Sequence, residues 1–176
     1  MAKKTLLVVG HGLAGAILTQ TLIDYGQKVR CIEGKIGHSA SRIAAGLINP
    51  LVGPKLNFPL KFSECLELNK VFFERWEQKF SEKLLKRETL IRIFNSTKQA
   101  EKWNEISNKR IYSEYTLSCL TNKTLKKFGI EGEFGAGETK AFRLDIKKFL
   151  HQSQDRLESM ECWTYGRYDY SDISDK

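Results

Sequence analysis

Thr5-Leu6-Leu7-Val8-Val9-Gly10-His11-Gly12-Leu13-Ala14-Gly15 is an apolar, partly β-branched run followed at once by glycines at GxGxxG spacing. Thr5 to Val9 suits a strand buried on both faces of a parallel sheet. In the turn behind it each glycine answers a separate need. Gly10 permits the tight turn, Gly12 lets the backbone approach a pyrophosphate, and Gly15 lets the following helix pack close to the strand. Unpaired backbone N–H groups and the positive end of the helix dipole at the amino end of that helix stabilise a diphosphate without any basic side chain.

Working outward, the helix after the turn carries Ala14, Ile17, Leu18, Thr21, Leu22 and Tyr25 at three- and four-residue steps, which predicts an apolar face, and Gly26 stops it. A second strand, Lys28 to Ile32, ends in Glu33. That acid lies 18 residues after Gly15, near the position from which a carboxylate accepts hydrogen bonds from an adenosine ribose. Strand, glycine turn, helix, strand and acid in this order predict a dinucleotide site. A carboxylate at Glu33 disfavours a 2′-phosphate, which leaves FAD or NAD ahead of NADP. His11 reads as a spacer in the turn, because a proton donor beside a pyrophosphate has no chemistry to perform there.

The next stretch, Gly37-His38-Ser39-Ala40-Ser41-Arg42-Ile43-Ala44-Ala45-Gly46-Leu47-Ile48-Asn49-Pro50, is small, polar and glycine-containing, unlike the ordinary crossover of a simple NAD domain. Ser39, Ser41 and Arg42 offer hydroxyl and guanidinium donors to phosphate, while Ala44, Ala45 and Gly46 allow close backbone approach to a flat ring system. The plainer reading is a helix start capped by a serine.

Taken together, the glycine turn, Glu33 and the Ser39–Pro50 segment resemble the FAD-dependent oxidoreductases of the D-amino-acid oxidase family, which includes glycine oxidase and sarcosine oxidase. A second stretch of likeness runs from Phe134-Gly135-Ala136-Gly137 through Arg143-Leu144-Asp145 into the following helix. The resemblance implies FAD as cofactor. It places Gly10, Gly12, Leu13, Ala14 and Gly15 on the pyrophosphate, Glu33 on the ribose, Ser39, Ser41 and Arg42 along the phosphates, and Ala45, Gly46 and Leu47 near the flavin. The implied reaction removes a hydride equivalent from a carbon bearing an amine, with a small amine or amino acid as substrate. Members of that family are longer than this chain, so the expectation is an amino-terminal portion, with the catalytic residues elsewhere.

The expected fold class is α/β: an incomplete Rossmann-like FAD-binding domain over residues 1–50 and 143–160, an inserted α+β substrate or cap region over 51–142, and an atypical tail over 161–176. Within the insert, Phe62, Leu66, Phe73, Trp76 and Phe80 recur on one helical face between Leu60 and Leu85. Glu88 to Phe94 reads as a strand, Thr97 to Ile106 as a short helix, Leu120 to Phe128 as irregular or short helix, and Glu133 to Leu144 as two strands about a glycine bend. Asp145 caps the helix containing Ile146, Phe149, Leu150 and Leu157. Arg143 could reach a substrate carboxylate, but reads first as a surface or strand-edge arginine. After Leu157 no further strand is expected.

Composition narrows the class. The 176 residues are 41% hydrophobic and 28% charged with 3 prolines, so the chain folds rather than staying disordered. Its net charge of +8 comes mostly from Lys55 to Lys127, where Lys and Arg interleave with Glu as on a solvated helix face; nucleic acid is therefore disfavoured as a partner. Cys31, Cys65, Cys119 and Cys162 are scattered, without a CxxC pair or a histidine at metal-ligand spacing. Neither a metal nor a disulfide framework is indicated, and a reducing, cytoplasmic location fits. No stretch reaches the roughly 18 apolar residues of a membrane span. Two other readings stay open: a non-catalytic fragment of such a flavoprotein, or a basic RNA-binding accessory module linked to tRNA modification.

Overall fold

The computed structural model describes residues 4–34, 39–169 and 171. In chain order its elements are β1 (Thr5–Val9), α1 (Leu13–Asp24), β2 (Lys28–Glu33), α2 (Ala40–Ile43), β3 (Leu47–Ile48), α3 (Phe62–Phe80) and β4 (Leu85–Ile93). There follow α4 (Thr97–Ser107), α5 (Arg110–Ser113), β5 (Thr116–Leu120), α6 (Asn122–Lys127), β6 (Ala136–Leu144), α7 (Ile146–Ser159) and β7 (Trp163–Tyr165). The fold is α/β and divides into two units, Met1–Ala45 with Asp145–Lys176, and the inserted Gly46–Leu144.

In the first unit β1, β2 and β7 form a parallel sheet in that order. Gly10 prolongs the β1 ladder, its N–H donating to the Ile32 carbonyl at 2.8 Å. Alternate β2 residues Val29 and Cys31 are buried, as expected of the middle strand. β7 corrects the expectation that no strand follows Leu157. Trp163-Thr164-Tyr165 is aromatic and β-branched, which favours a strand. It pairs with Cys31, Ile32 and Glu33, and Gly166 donates to the Glu33 carbonyl at 3.0 Å. The polar flanks of this triplet hid it.

The buried face of α1 also differs from the expected one. Ala16, Thr19 and Gln20 are buried, whereas Leu18 is 50% and Tyr25 78% exposed. α1 packs on β2 and α7, and α7 offers it polar partners, so the helix turns a mixed face inward. Asp145 caps α7 by accepting the Lys148 N–H at 3.1 Å. Ile146, Phe149, Leu150 and Leu157 form the buried stripe of α7, as its spacing predicts.

The second unit is built on an antiparallel sheet in which β6 pairs β4 along its whole length, β3 at its carboxyl end and β5 at its amino end. Residues 136–144 are one strand, not two about a bend. Gly137 sits inside it because the Trp103 ring lies flat on that face: a Cβ there would come within 2.2 Å of the indole. Two clusters fill this unit. Leu51, Leu56, Phe94, Trp103 and Ile106 form one, and Phe62, Leu66 and Tyr115 the other, the latter packed on Ile48, Phe58 and Phe142. The aromatic stripe of α3 is core, as expected, with Phe73 and Trp76 buried and Phe80 stacked on Trp76 at 4.6 Å.

Candidate functional site

The glycine turn connects β1 to α1. Gly10 has φ of +93°, a conformation open to glycine, and Gly12 precedes α1 in extended conformation with no side chain to cap the helix. The first intrahelical bond runs from Ala16 N–H to the Gly12 carbonyl at 2.9 Å. The N–H groups of Ala14 and Gly15 therefore have no intrahelical acceptor. Gly15 is fixed by packing: a Cβ would lie 2.0 Å from the Gly10 carbonyl oxygen. Helix and turn approach as closely as a backbone allows.

Two distant segments converge on this turn. Glu33, at the end of β2, accepts the His11 N–H with its carboxylate, which brings the acid to the turn itself. Ser41, on α2, accepts the Leu13 N–H through its hydroxyl at 3.0 Å and so caps α1 from outside the helix. Its Oγ is the atom that a Cβ at Gly12 would meet, at 3.1 Å. Ser39 precedes α2, and its hydroxyl is buried with no partner among the described residues. Arg42 reaches Gln154 of α7 at 3.4 Å. Ala45 is exposed at the end of the first unit. Gly46 and Leu47 belong to the second unit. There Gly46 has φ of +73° and accepts the Leu144 N–H at 2.9 Å, and Leu47 pairs with Arg143. Gly37 and His38 lie outside the described residues. Arg143, expected at a surface or a strand edge, lies inside the sheet between Leu47 of β3 and Lys86 of β4, and its exposed side chain pairs with Glu88 at 3.0 Å.

His11 is more than a spacer. It is 1% exposed, its Nε2 lies 2.8 Å from Ser153 Oγ, and the Trp163 ring stands edge-on at 4.8 Å. Gln20 Nε2 donates to the same hydroxyl at 2.9 Å, and Arg156 donates to Gln20 Oε1 at 2.6 Å and to Asp24 at 3.0 Å. Because a guanidinium only donates, the Gln20 amide orientation is settled. This buried chain ties the glycine turn to α1 and α7. The other ring nitrogen, Nδ1, is buried without a partner among the described residues. A second ring proton would leave an N–H unpaired, and burial, helped by the Arg42 charge, lowers the His11 pKa to about 4. Burial also pushes the Cys31 thiol up to about 11, against a hydrogen bond with Thr19 and with a contribution from the Glu33 charge. Cys31 is therefore no nucleophile near neutral pH.

Sequence reasoning missed Ser153, Gln20 and Arg156. The available signal was Ser153 itself, a polar residue in the Phe149, Leu150, Leu157 stripe. Among the described residues no group of three or more potential metal ligands occurs, and no helix is long and apolar enough to cross a membrane.

No protein-family model and no curated protein sequence matches the chain. Solved structures do. Iminodiacetate oxidase from Chelativorans sp. BNC1 superposes with a TM-score of 0.63 at 17% identity, over 95% of this chain and 47% of the oxidase. Glycine oxidase from Bacillus cereus gives 0.65 at 18% identity, over 96% of this chain and 49% of the enzyme. L-α-glycerophosphate oxidase from Mycoplasma pneumoniae, solved with FAD bound, gives 0.62 at 15%, over 93% and 44%. The chain thus has the fold of these oxidases and spans about half their length.

Proposed function

We propose that the first unit is the FAD-binding part of a flavin-dependent oxidoreductase that acts on a small amine or amino acid. The observation that carries this reading is the meeting of the Glu33 carboxylate with the Gly10–Gly12 turn at the amino end of α1. One crevice therefore presents both backbone donors for a diphosphate and an acceptor for the adjoining sugar. The local chemistry fits the cofactor: Ala14 and Gly15 N–H groups without an intrahelical acceptor, a helix packed too close for any side chain at Gly15, and a buried hydroxyl at Ser39 without a partner among the described residues.

In this reading Gly10, Gly12, Leu13, Ala14 and Gly15 hold the pyrophosphate and Glu33 the ribose. Ser39, Ser41 and Arg42 follow the phosphates, and Ala45, Gly46 and Leu47 serve the flavin end. Bound FAD would supply the redox chemistry, accepting a hydride equivalent from an amine-bearing carbon, while the protein binds and orients it. The likeness to amino-acid-type oxidases supports the substrate class, and scattered free cysteines support a reducing, cytoplasmic setting.

The test is flavin binding. Purified protein is expected to retain yellow absorbance or to acquire it with added FAD, and Gly12→Val should abolish it. Gly12 has φ of −73°, which valine adopts, so the variant should keep its far-ultraviolet dichroism while its side chain blocks the approach; its Cβ meets Ser41 Oγ at 3.1 Å, so a somewhat lower thermal midpoint is expected with it. A colourless wild-type protein that binds no added FAD would overturn the proposal.

A further inference from the structure

The second unit holds a cleft that the dinucleotide reading does not use. It lies between α3 and the sheet and has a volume of about 650 Å³, within the range of small-molecule sites. The β4–β6 register sets Arg87 opposite Phe142 and Thr89 opposite Lys140. Direct partners and alternate residues share a sheet face, so Arg87 and Lys140 stand diagonally on one face with Phe142 beside both. Among the described residues neither cation forms an ion pair. Two unpaired like charges at neighbouring positions repel, which is unfavourable unless an anion joins them.

The rest of the lining narrows the anion. Lys70 of α3 holds its ammonium 5.2 Å from the Phe142 ring centroid, but it is paired with Glu67 at 2.6 Å. Glu88 is likewise engaged by Arg143 at 3.0 Å. Setting these pairs aside leaves Arg87 and Lys140 against Glu114, a net charge of one positive unit, matched to a monoanion. Leu66, Tyr115 and Phe142 provide an apolar floor, and Leu117 an exposed apolar rim.

We propose that this cleft binds a small planar carboxylate, such as an aromatic acid, with its carboxylate on the Arg87 guanidinium beside Lys140 and its ring along Phe142. A guanidinium fork matches a carboxylate's two oxygens. The proposal is independent of flavin binding, because every group it uses lies in the second unit.

Titrating the whole chain by calorimetry or NMR with benzoate, benzamide and inorganic phosphate, at constant ionic strength, tests it. Benzoate should bind saturably, with benzamide and phosphate weaker. Arg87→Gln, an exposed substitution, should weaken benzoate by about tenfold or more, because a single neutral donor replaces the two charge-assisted hydrogen bonds of the fork, with the thermal midpoint unchanged. Lys140→Gln should weaken it in the same direction. No saturable benzoate binding, benzamide or phosphate binding as tightly as benzoate, or benzoate affinity unchanged in both variants would each overturn it.

Discussion

His11 shows how one side chain makes the glycine turn depend on pH. In an unfolded chain its imidazole takes a proton near 6.5, but in the folded protein only near 4. As pH falls below 6.5 the unfolded state gains a proton that the folded state refuses, so stability declines. The slope tends toward about 1.4 kcal/mol per pH unit and flattens once the folded pKa is passed. His11→Gln keeps a hydrogen-bonding group for Ser153 and removes the titration. Urea midpoints measured from pH 7 to 4.5 should therefore fall more steeply for the wild type than for His11→Gln. Parallel curves would show that the buried ring does not govern this range.

At the scale of elements, the join between α3 and β4 rests on a buried carboxylate. Glu77 Oε1 accepts the Leu84 and Leu85 N–H groups at 2.7 Å each, and Oε2 accepts from Lys83. Burial opposes its charge, yet the bonds from Lys83, Leu85 and Leu84 outweigh it and hold the carboxyl below its ordinary value. Its contribution is thus present above the ordinary carboxylate range and lost on acidification. Glu77→Gln turns an amide toward Lys83 and should cost about 1–3 kcal/mol, read as a lower urea midpoint with faster hydrogen exchange at Leu84 and Leu85. Equal midpoints would contradict it. The Glu77 bridge was invisible in the sequence because its partners are backbone groups seven and eight residues on. The GxGxxG turn and Glu33 were legible because both follow from local conformation: a positive φ, a helix start, a strand end. The α3 stripe was legible from its period. What escaped depends on contacts across the chain. Gly137 looked like a bend and is a seat for Trp103; α1 looked apolar along the face that meets solvent; and His11 looked idle because Ser153 lies 142 residues away.

For the molecule as a whole, the parallel sheet sets the chief hazard. Among the described residues β1 pairs only with β2, although its sequence is that of a strand covered on both faces. Leu6, Leu7 and Val9 are 40%, 44% and 55% exposed, where an inner parallel strand would bury them. An apolar edge of this kind invites pairing with another chain. The net charge of +8 opposes that approach, and salt screens it within roughly 10 Å at 0.1 M. Self-association of the purified chain should therefore rise with both protein concentration and salt, the reverse of an assembly held by ion pairs. Leu7→Lys places a charge on the open edge, as natural edge strands do, and should move the sedimentation profile toward monomer at every salt concentration. If the wild type instead sediments as monomer in high salt at high concentration, the β1 edge is shielded and its exposed leucines face something other than a partner strand.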